Sequence, residues 1–286
     1  MQVSIVVLTY NEEHRIHDCL ASAAWCEEII VVDGHSTDRT VEIARQFTNK
    51  VLTSDLLGPD KPGGFAAQRN FALDHASSDW IFFLDADERF TPELAREIPE
   101  RLRAGVDEGI AAFRVRRNEH FFGVFSPYTH GESWLTRLVR KGKGRWDDKL
   151  VHEGLVVDSK TESLGGYIDH YSKDSIAAYL ATQNRYTTLE AEQAAAKGEP
   201  MPRSPLAGMV KTFLNTYIYK GSYREGAFGL IMSLLFTYYH FLCWAKRWEI
   251  EVKGKRITGD QPRMHLMETM GDLLGKIWRL LSPPRG

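Results

Sequence analysis

The first half of the chain alternates short apolar runs with segments of helical spacing. Ser4–Leu8, Glu28–Asp33, Val51–Ser54 and Trp80–Leu84 read as strands, since four to six apolar residues between turn signals suit a buried strand better than a helix. Glu13–Ala24, Arg39–Phe47 and Gly64–His75 read as the helices between them. Runs that are apolar throughout belong to strands buried on both faces, as in a mostly parallel central sheet with flanking helices, a Rossmann-like α/β arrangement. Ligands of such sheets bind beyond the carboxyl ends of the strands. The polar residues at those ends are therefore the first candidates for chemistry.

The pattern then changes. Ile110–Arg116, Leu135–Lys141 and Leu150–Val157 read as further strands, joined by an aromatic loop around Phe121–Trp134. Ser175–Lys197 is a long Ala-rich helical segment ending at Gly198. Pro200, Pro202 and Pro205 mark a linker, which divides the chain into a catalytic domain, 1–200, and a helical C-terminal region, 201–286. In that region Ala227–Ala245 runs for 19 residues without Asp, Glu, Lys or Arg. Its length approaches that of a spanning helix, but Tyr238, Tyr239, His240 and Trp244 make it amphiphilic. Leu206–Tyr223 mixes apolar, Tyr and Lys residues, and Met267, Met270, Leu274, Ile277, Trp278 and Leu281 recur at helical spacing. A helix in the membrane interface, a true span and a soluble core or homo-oligomer interface all remain open.

Composition sharpens this division. At 43% hydrophobic and 26% charged residues, the 286-residue chain is neither disordered nor a polytopic membrane protein. Its net charge of −2 conceals a split. Residues 1–200 hold 23 Lys and Arg against 32 Asp and Glu, and residues 201–286 hold 13 against 6. An apolar, basic tail suits an anionic lipid surface. Cys19, Cys26 and Cys243 offer neither a disulfide framework nor a C-x-x-C site. The apolar start lacks the basic flank and cleavage site of a signal peptide, and reads as the first strand of a cytosolic protein. No nucleic-acid partner is expected.

The strand ends carry more polar groups than capping requires. Thr9-Tyr10-Asn11-Glu12 suits a helix start with Asn11 as cap. After Asp33, any of Ser36, Thr37 or Asp38 can cap the next helix, which leaves Asp33 free to accept from a base or ribose. Asp85 and Asp87 are also surplus, because Thr91-Pro92-Glu93 already starts the following helix. Carboxylates at i and i+2 can converge on a hard divalent cation and the phosphates it bridges. Gln68 and Arg69 follow a Gly-Gly turn, and the Arg69 guanidinium offers a fork of donors suited to a diphosphate.

TYNE, VVDGHSTDRT, GGFAAQRN and FLDADE, in this order and spacing, resemble glycosyltransferase family 2 over about residues 1–170. The resemblance implies an inverting, nucleotide-sugar-dependent enzyme of GT-A fold that uses Mg²⁺ or Mn²⁺. It places the nucleotide-sugar contacts at Thr9, Tyr10, Asn11, Glu12, Asp33, Asp38, Gln68, Arg69 and Asp85, and the metal at Asp85, Asp87 and His170, with a structural role for His170 also open. GGFAAQRNFAL, RLVRK at Arg137–Lys141, VHE at Val151–Glu153 and DHYS from Asp169 are similar to the lipopolysaccharide-core β-1,4-glucosyltransferase group. That similarity implies transfer of a hexose, glucose above all, from a UDP-sugar to a lipid-linked saccharide by a peripheral protein on the inner face of the cell membrane. Where many members hold the catalytic base in a Glu-Asp pair, this chain has His152-Glu153, so Glu153 is the expected base and His152 its rival. Trp134 and Arg137 are candidates for the acceptor side, or for core packing of the loop. The Gln-x-x-Arg-Trp motif of processive synthases is absent. A polyprenyl-phosphate sugar synthase and a non-catalytic nucleotide-sugar-binding or scaffold protein are the competing functions.

Overall fold

The computed structural model describes residues 2–55, 64–129, 133–147, 154–202 and 204–258. It forms two compact units, Met1–Asp174 and Ser175–Gly286. The expected division at residue 200 therefore lies inside the second unit. The reason is packing: the long helix before the prolines, α5 (Ile176–Ala196), lies against the last helix, α7 (Gly226–Thr258).

Among the described residues, the first unit is built on one nine-stranded sheet. Its first half comprises β1 (Val3–Thr9), β2 (Glu28–Asp33), β3 (Val51–Thr53) and β4 (Trp80–Asp85), in the order β3-β2-β1-β4 and all parallel. Alternate residues of each strand feed two cores. Val3, Ile5, Val7, Phe82 and Leu84 meet α1 (Ile16–Ser22) and α4 (Pro92–Arg103) on one face. Val6, Leu8, Ile81 and Phe83 meet α3 (Gly64–His75) on the other. Burial on both faces is why these strands read as unbroken apolar runs.

The sheet continues through strands that the apolar pattern conveys less well. β8 (Ser133–Arg140) runs antiparallel to β4 and to β6 (Ile110–Phe121), and β11 (Lys160–Lys173) lies parallel to β6. β5 (Glu88–Phe90) pairs antiparallel with β11, β7 (Val124–Phe125) pairs with β6, and a small second sheet joins β9 (Gly144–Trp146) to β10 (Leu155–Val157). The sheet is therefore parallel over its first four strands and mixed beyond them. Thr91 caps α4 by accepting from the Leu94 N–H, with Pro92 in the first turn as the sequence predicts. Gly166 lets β11 approach this helix, since a Cβ there would lie 2.7 Å from Leu94 Cα. The Gly165 and Gly166 N–H groups both donate to Glu97, at 2.7 Å each.

In the second unit, Ser175 caps α5 through the Ala178 N–H. α6 (Leu206–Phe213) runs on as a π-helix over Leu214–Tyr219, and a 3₁₀ turn over Ser222–Glu225 leads into α7. Gly221 and Gly226, at φ 84° and 61°, make the turn between the two limbs. α6 packs against α7. Ser222–Lys253 is long and apolar enough to cross a membrane by length and composition, although only 22% of its most apolar stretch is buried. The Met267–Leu281 pattern lies outside the described residues.

Candidate functional site

β1, β2 and β4 end side by side, with Thr9 beside Asp33 and Leu8 beside Asp85. The loops beyond β1 and β2 turn at Asn11 and His35, which have φ of 54° and 63°. These loops are bonded to each other. The Asn11 N–H donates to Ser36 Oγ at 2.8 Å, and the Thr37 N–H donates to Asn11 Oδ1 at 2.8 Å. Asn11 thus supports the neighbouring loop, and its own helix starts at Arg15 without a side-chain cap. Nor is Asp33 surplus: its two oxygens accept from the Ser36 N–H at 2.9 Å and the Ser36 hydroxyl at 2.5 Å, as in an Asx turn. Asp38 accepts from the Thr40 N–H and hydroxyl and from the Glu13 N–H. Both carboxylates hold the loops in shape and keep further lone pairs. Tyr10 is exposed beside them. Burial raises the Glu12 pKa, Arg15 opposes the rise and Asp87 adds to it.

α3 packs over β1 and brings in Gln68 and Arg69. Gln68 is fully buried, yet neither end of its amide has a partner among the described residues, and the same holds for the buried Thr9 hydroxyl. A buried polar group without a partner costs about 1–3 kcal/mol, and such groups mark where water or a ligand completes the site. Arg69 lies over the Trp146 ring, 4.3 Å from its centroid. The Asn70 side chain holds the Trp146 backbone by two bonds, at 3.0 and 2.9 Å.

At the end of β4 the charges alternate along a chain of eight side chains. Arg69 donates to Asp85 Oδ1 at 2.9 Å, and Arg137 donates to Asp85 Oδ2 at 2.8 Å and to Glu88 Oε1 at 2.7 Å. Arg117 lies 3.5 Å from Glu88 and 2.7 Å from Glu119. Glu119 in turn meets His170 Nδ1 at 2.7 Å, and His170 Nε2 lies 3.3 Å from Asp87 Oδ2. Against the effect of burial, Arg137 and Arg69 hold the Asp85 carboxyl well below the usual range. Burial and Asp85 raise the Glu88 pKa, with Arg137 opposing. Burial lowers that of His170, but the bonds to Asp87 and Glu119 outweigh it and bring the imidazole to about 9.

The structure bears on two of these expectations. Asp85 does not form a three-ligand cluster with Asp87 and His170, and its two oxygens accept from Arg69 and Arg137 instead. Among the described residues, no three His, Cys, Asp or Glu side chains are placed to hold a metal ion. Arg137 is only 5% exposed and faces the acids rather than an open acceptor surface. The cause is a β-bulge: Arg114 pairs with Thr136 and Phe113 with Leu138, so the extra residue, Arg137, is re-aimed into the cluster. Trp134 remains 40% exposed, with Arg114 and Arg116 over its ring.

Asp87 and His170 nevertheless fit a hard divalent cation. Mg²⁺ is commonly held by one or two protein carboxylates plus substrate phosphates, not by an all-protein cage. The Glu119 carboxylate behind His170 is the partner that orients a metal-binding imidazole. His152 and Glu153 lie outside the described residues. Sequence reasoning missed Arg117, Glu119 and the role of Glu88. Arg117 and Glu119 stand two apart beyond the expected end of β6, and Glu88 ends the Asp-Ala-Asp-Glu run.

Parallel strands whose ends carry acids met by arginines, continued by a mixed half of the sheet, fit an α/β domain of GT-A fold. Residues 4–157 match the model of glycosyl transferase family 2. The lipopolysaccharide core biosynthesis glycosyltransferase LpsC of Rhizobium meliloti is 30% identical over 272 residues, covering 93% of this chain and 98% of the relative. An uncharacterized glycosyltransferase of Rickettsia typhi is 26% identical, covering 99% of each chain. Among solved structures, S. aureus TarS 1–349 in complex with UDP-GlcNAc is 18% identical with a TM-score of 0.41, over 68% of this chain and 66% of that one. The chain belongs to glycosyl transferase family 2, and it is a glycosyltransferase.

Proposed function

We propose that the protein transfers a hexose, glucose in the first instance, from a UDP-sugar to a lipid-linked saccharide such as lipopolysaccharide core, with inversion and with Mg²⁺ or Mn²⁺. The observation that carries this reading is the meeting of Arg69 and Arg137 on Asp85, beside the Asp87–His170 pair at the strand ends. The loops carrying Thr9, Tyr10, Asn11, Glu12, Asp33 and Asp38 form the nucleoside side of the donor site, with Gln68 and Thr9 supplying the unpaired polar groups. Asp87 and His170 would hold the cation, which supplies neutralisation of the diphosphate charge when bound. Asp85 belongs with the nucleotide-sugar, and its two arginines are donors poised for diphosphate oxygens.

Transfer then needs one displacement. The acceptor hydroxyl oxygen bonds to the anomeric carbon as the bond to the diphosphate oxygen breaks. The diphosphate departs with the bonding pair, and the hydroxyl proton passes to Glu153, with His152 as the alternative base. A positioned base contributes roughly 10²–10⁴ in rate. The similarity to LpsC supports a lipopolysaccharide acceptor, and the basic 201–286 region supports a peripheral position on anionic lipid at the inner face of the membrane. The test is Mn²⁺-dependent turnover of UDP-, GDP- and dTDP-sugars with acceptor lipid, for the native chain, Asp87→Ala and Glu153→Gln. We expect UDP-sugar turnover that falls at least about 100-fold in each variant. Unchanged turnover in both variants overturns the site.

A further inference from the structure

The two limbs of the second unit are packed inside out. The face of α7 turned to the rest of its own unit is mostly small or polar: Gly229, Ser233 and Thr237 are buried, with Met232 the large apolar side chain among them, as are Ser222 in the turn and Thr216 in the π-helix. Gly229 lies so close to Ser222 that any Cβ would collide with its carbonyl oxygen. Ser233 and Thr237 donate to the helix's own carbonyls at 2.7 and 2.8 Å. The outward face carries Leu230, Ile231, Leu234, Tyr238 and Phe241, with Leu234 51% exposed. These five fall within an arc of about 100° on a helix of 3.6 residues per turn. On the other limb Val210, Leu214 and Ile218, four residues apart, are each more than half exposed. In water this arrangement wastes apolar surface. Among lipid tails it is the expected one, since helices there associate through small residues and hydroxyls.

Resting on the proposed membrane-side function, we infer that Leu206–Ala245 lies in the plane of an anionic bilayer surface, with these apolar faces among the upper acyl chains. Three features set the depth. Lys211, Lys220 and Arg224 are exposed along the segment, with Glu225 its only acid. The Glu190 carboxylate on α5 receives the Tyr239 hydroxyl and, at 3.3 Å, the Cys243 thiol. A crossing α7 would therefore drag a carboxylate into hydrocarbon, a costly location. The stretch before that contact, Gly226–Tyr238, is 13 residues, or about 20 Å, against a hydrocarbon core of about 30 Å. Cations at headgroup level with apolar residues beneath suit the interface.

The test is flotation of the full chain with vesicles of 7:3 phosphatidylcholine and phosphatidylglycerol, compared with phosphatidylcholine alone. We expect binding to the anionic vesicles that alkaline carbonate reverses. Leu234→Asp should lower partitioning more than about tenfold, and Lys220→Gln and Arg224→Gln about fivefold each. Donor turnover in detergent should be unchanged in all three, which shows that they fold. Flotation equal in Leu234→Asp and the native chain overturns the inference, as does resistance to carbonate, which would mean a span. A solution dimer that Leu234→Asp makes monomeric, without vesicle binding, assigns the face to a second copy instead. A native chain that turns over donor but does not float with the anionic vesicles refutes this inference alone. Absent turnover in the native chain refutes the transferase reading, and flotation still decides the surface.

Discussion

The interiors of the two units are built to opposite rules. In the first, Phe82, Leu84 and their neighbours are buried from both sides, and the charges gather where the strands leave the core. In the second, Thr216, Ser222, Ser233 and Thr237 are inside beside Met232, while Leu230, Ile231, Leu234 and Tyr238 face out. On the inference drawn above, the contrast reflects the surroundings of each unit: water around a catalytic sheet, and lipid tails against a helical hairpin. The largest test of it is at Arg137, the cation shared by Asp85 and Glu88. Arg137→Met leaves two facing carboxylates without their common partner. Removing one member of a buried ion pair costs about 3–5 kcal/mol, so the unfolding midpoint should fall sharply along with donor turnover. A variant as stable as the native chain would show that the charge chain does not organise this end of the sheet.

The same deletion made in both units separates the two rules. Leu84→Ala in the sheet should cost about 2–5 kcal/mol in urea unfolding, because it empties a fully packed site. Leu234→Ala should cost less than about 0.5 kcal/mol in water, as expected of an exposed position. Equal losses would mean that α7 has an aqueous core of its own. The reverse substitution sharpens the point. Ser233→Leu adds apolar volume where the helix packs closely and should destabilise by about 1–3 kcal/mol, although hydrophobicity rises. Stabilisation there would mean that the interior has room for a larger apolar side chain.

This contrast also explains what the sequence conveys. β2 and β4 emerge from the apolar pattern because double-sided burial writes an unbroken run. β11 does not, since Gly165, Gly166 and the alternation Asp169, Tyr171 and Lys173 carry it across a bulge and along an edge. Asp87, His170 and Arg69 are visible as residue types at motif spacing. Glu119, the partner of His170, and Arg117, the partner of Glu119, are 51 and 53 residues from His170 in sequence and join it only through the β6–β11 pairing. Asp33 is misread as surplus because capping rules count residues, whereas the turn uses Ser36 twice. In the tail, composition suggests lipid, but the face that meets it appears only once buried and exposed positions are separated.

The smallest loss expected within the first unit contrasts the two ends of its sheet. At the amino end of β2, Glu28 accepts from the Ser4 hydroxyl and the Lys50 ammonium, and from Ser77 N–H and Oγ at 2.9 and 2.8 Å. Burial pushes its pKa up, but these bonds outweigh it and hold the carboxyl at about 2, against an ordinary 4.5. A depressed carboxylate stabilises the fold above its unfolded pKa and loses that contribution as pH falls through the folded one. Glu28→Gln should therefore lower the free energy of unfolding by about 1–2 kcal/mol at pH 7. The gap should close between about pH 4.5 and 2, where the native chain loses the charge that the variant never had. No active-site group is involved, so donor turnover at pH 7 should stay at the native level. A stability gap that persists at pH 2 would assign the loss to altered packing of the substituted side chain instead of to the carboxylate, and the amino end would then be held by shape, not charge.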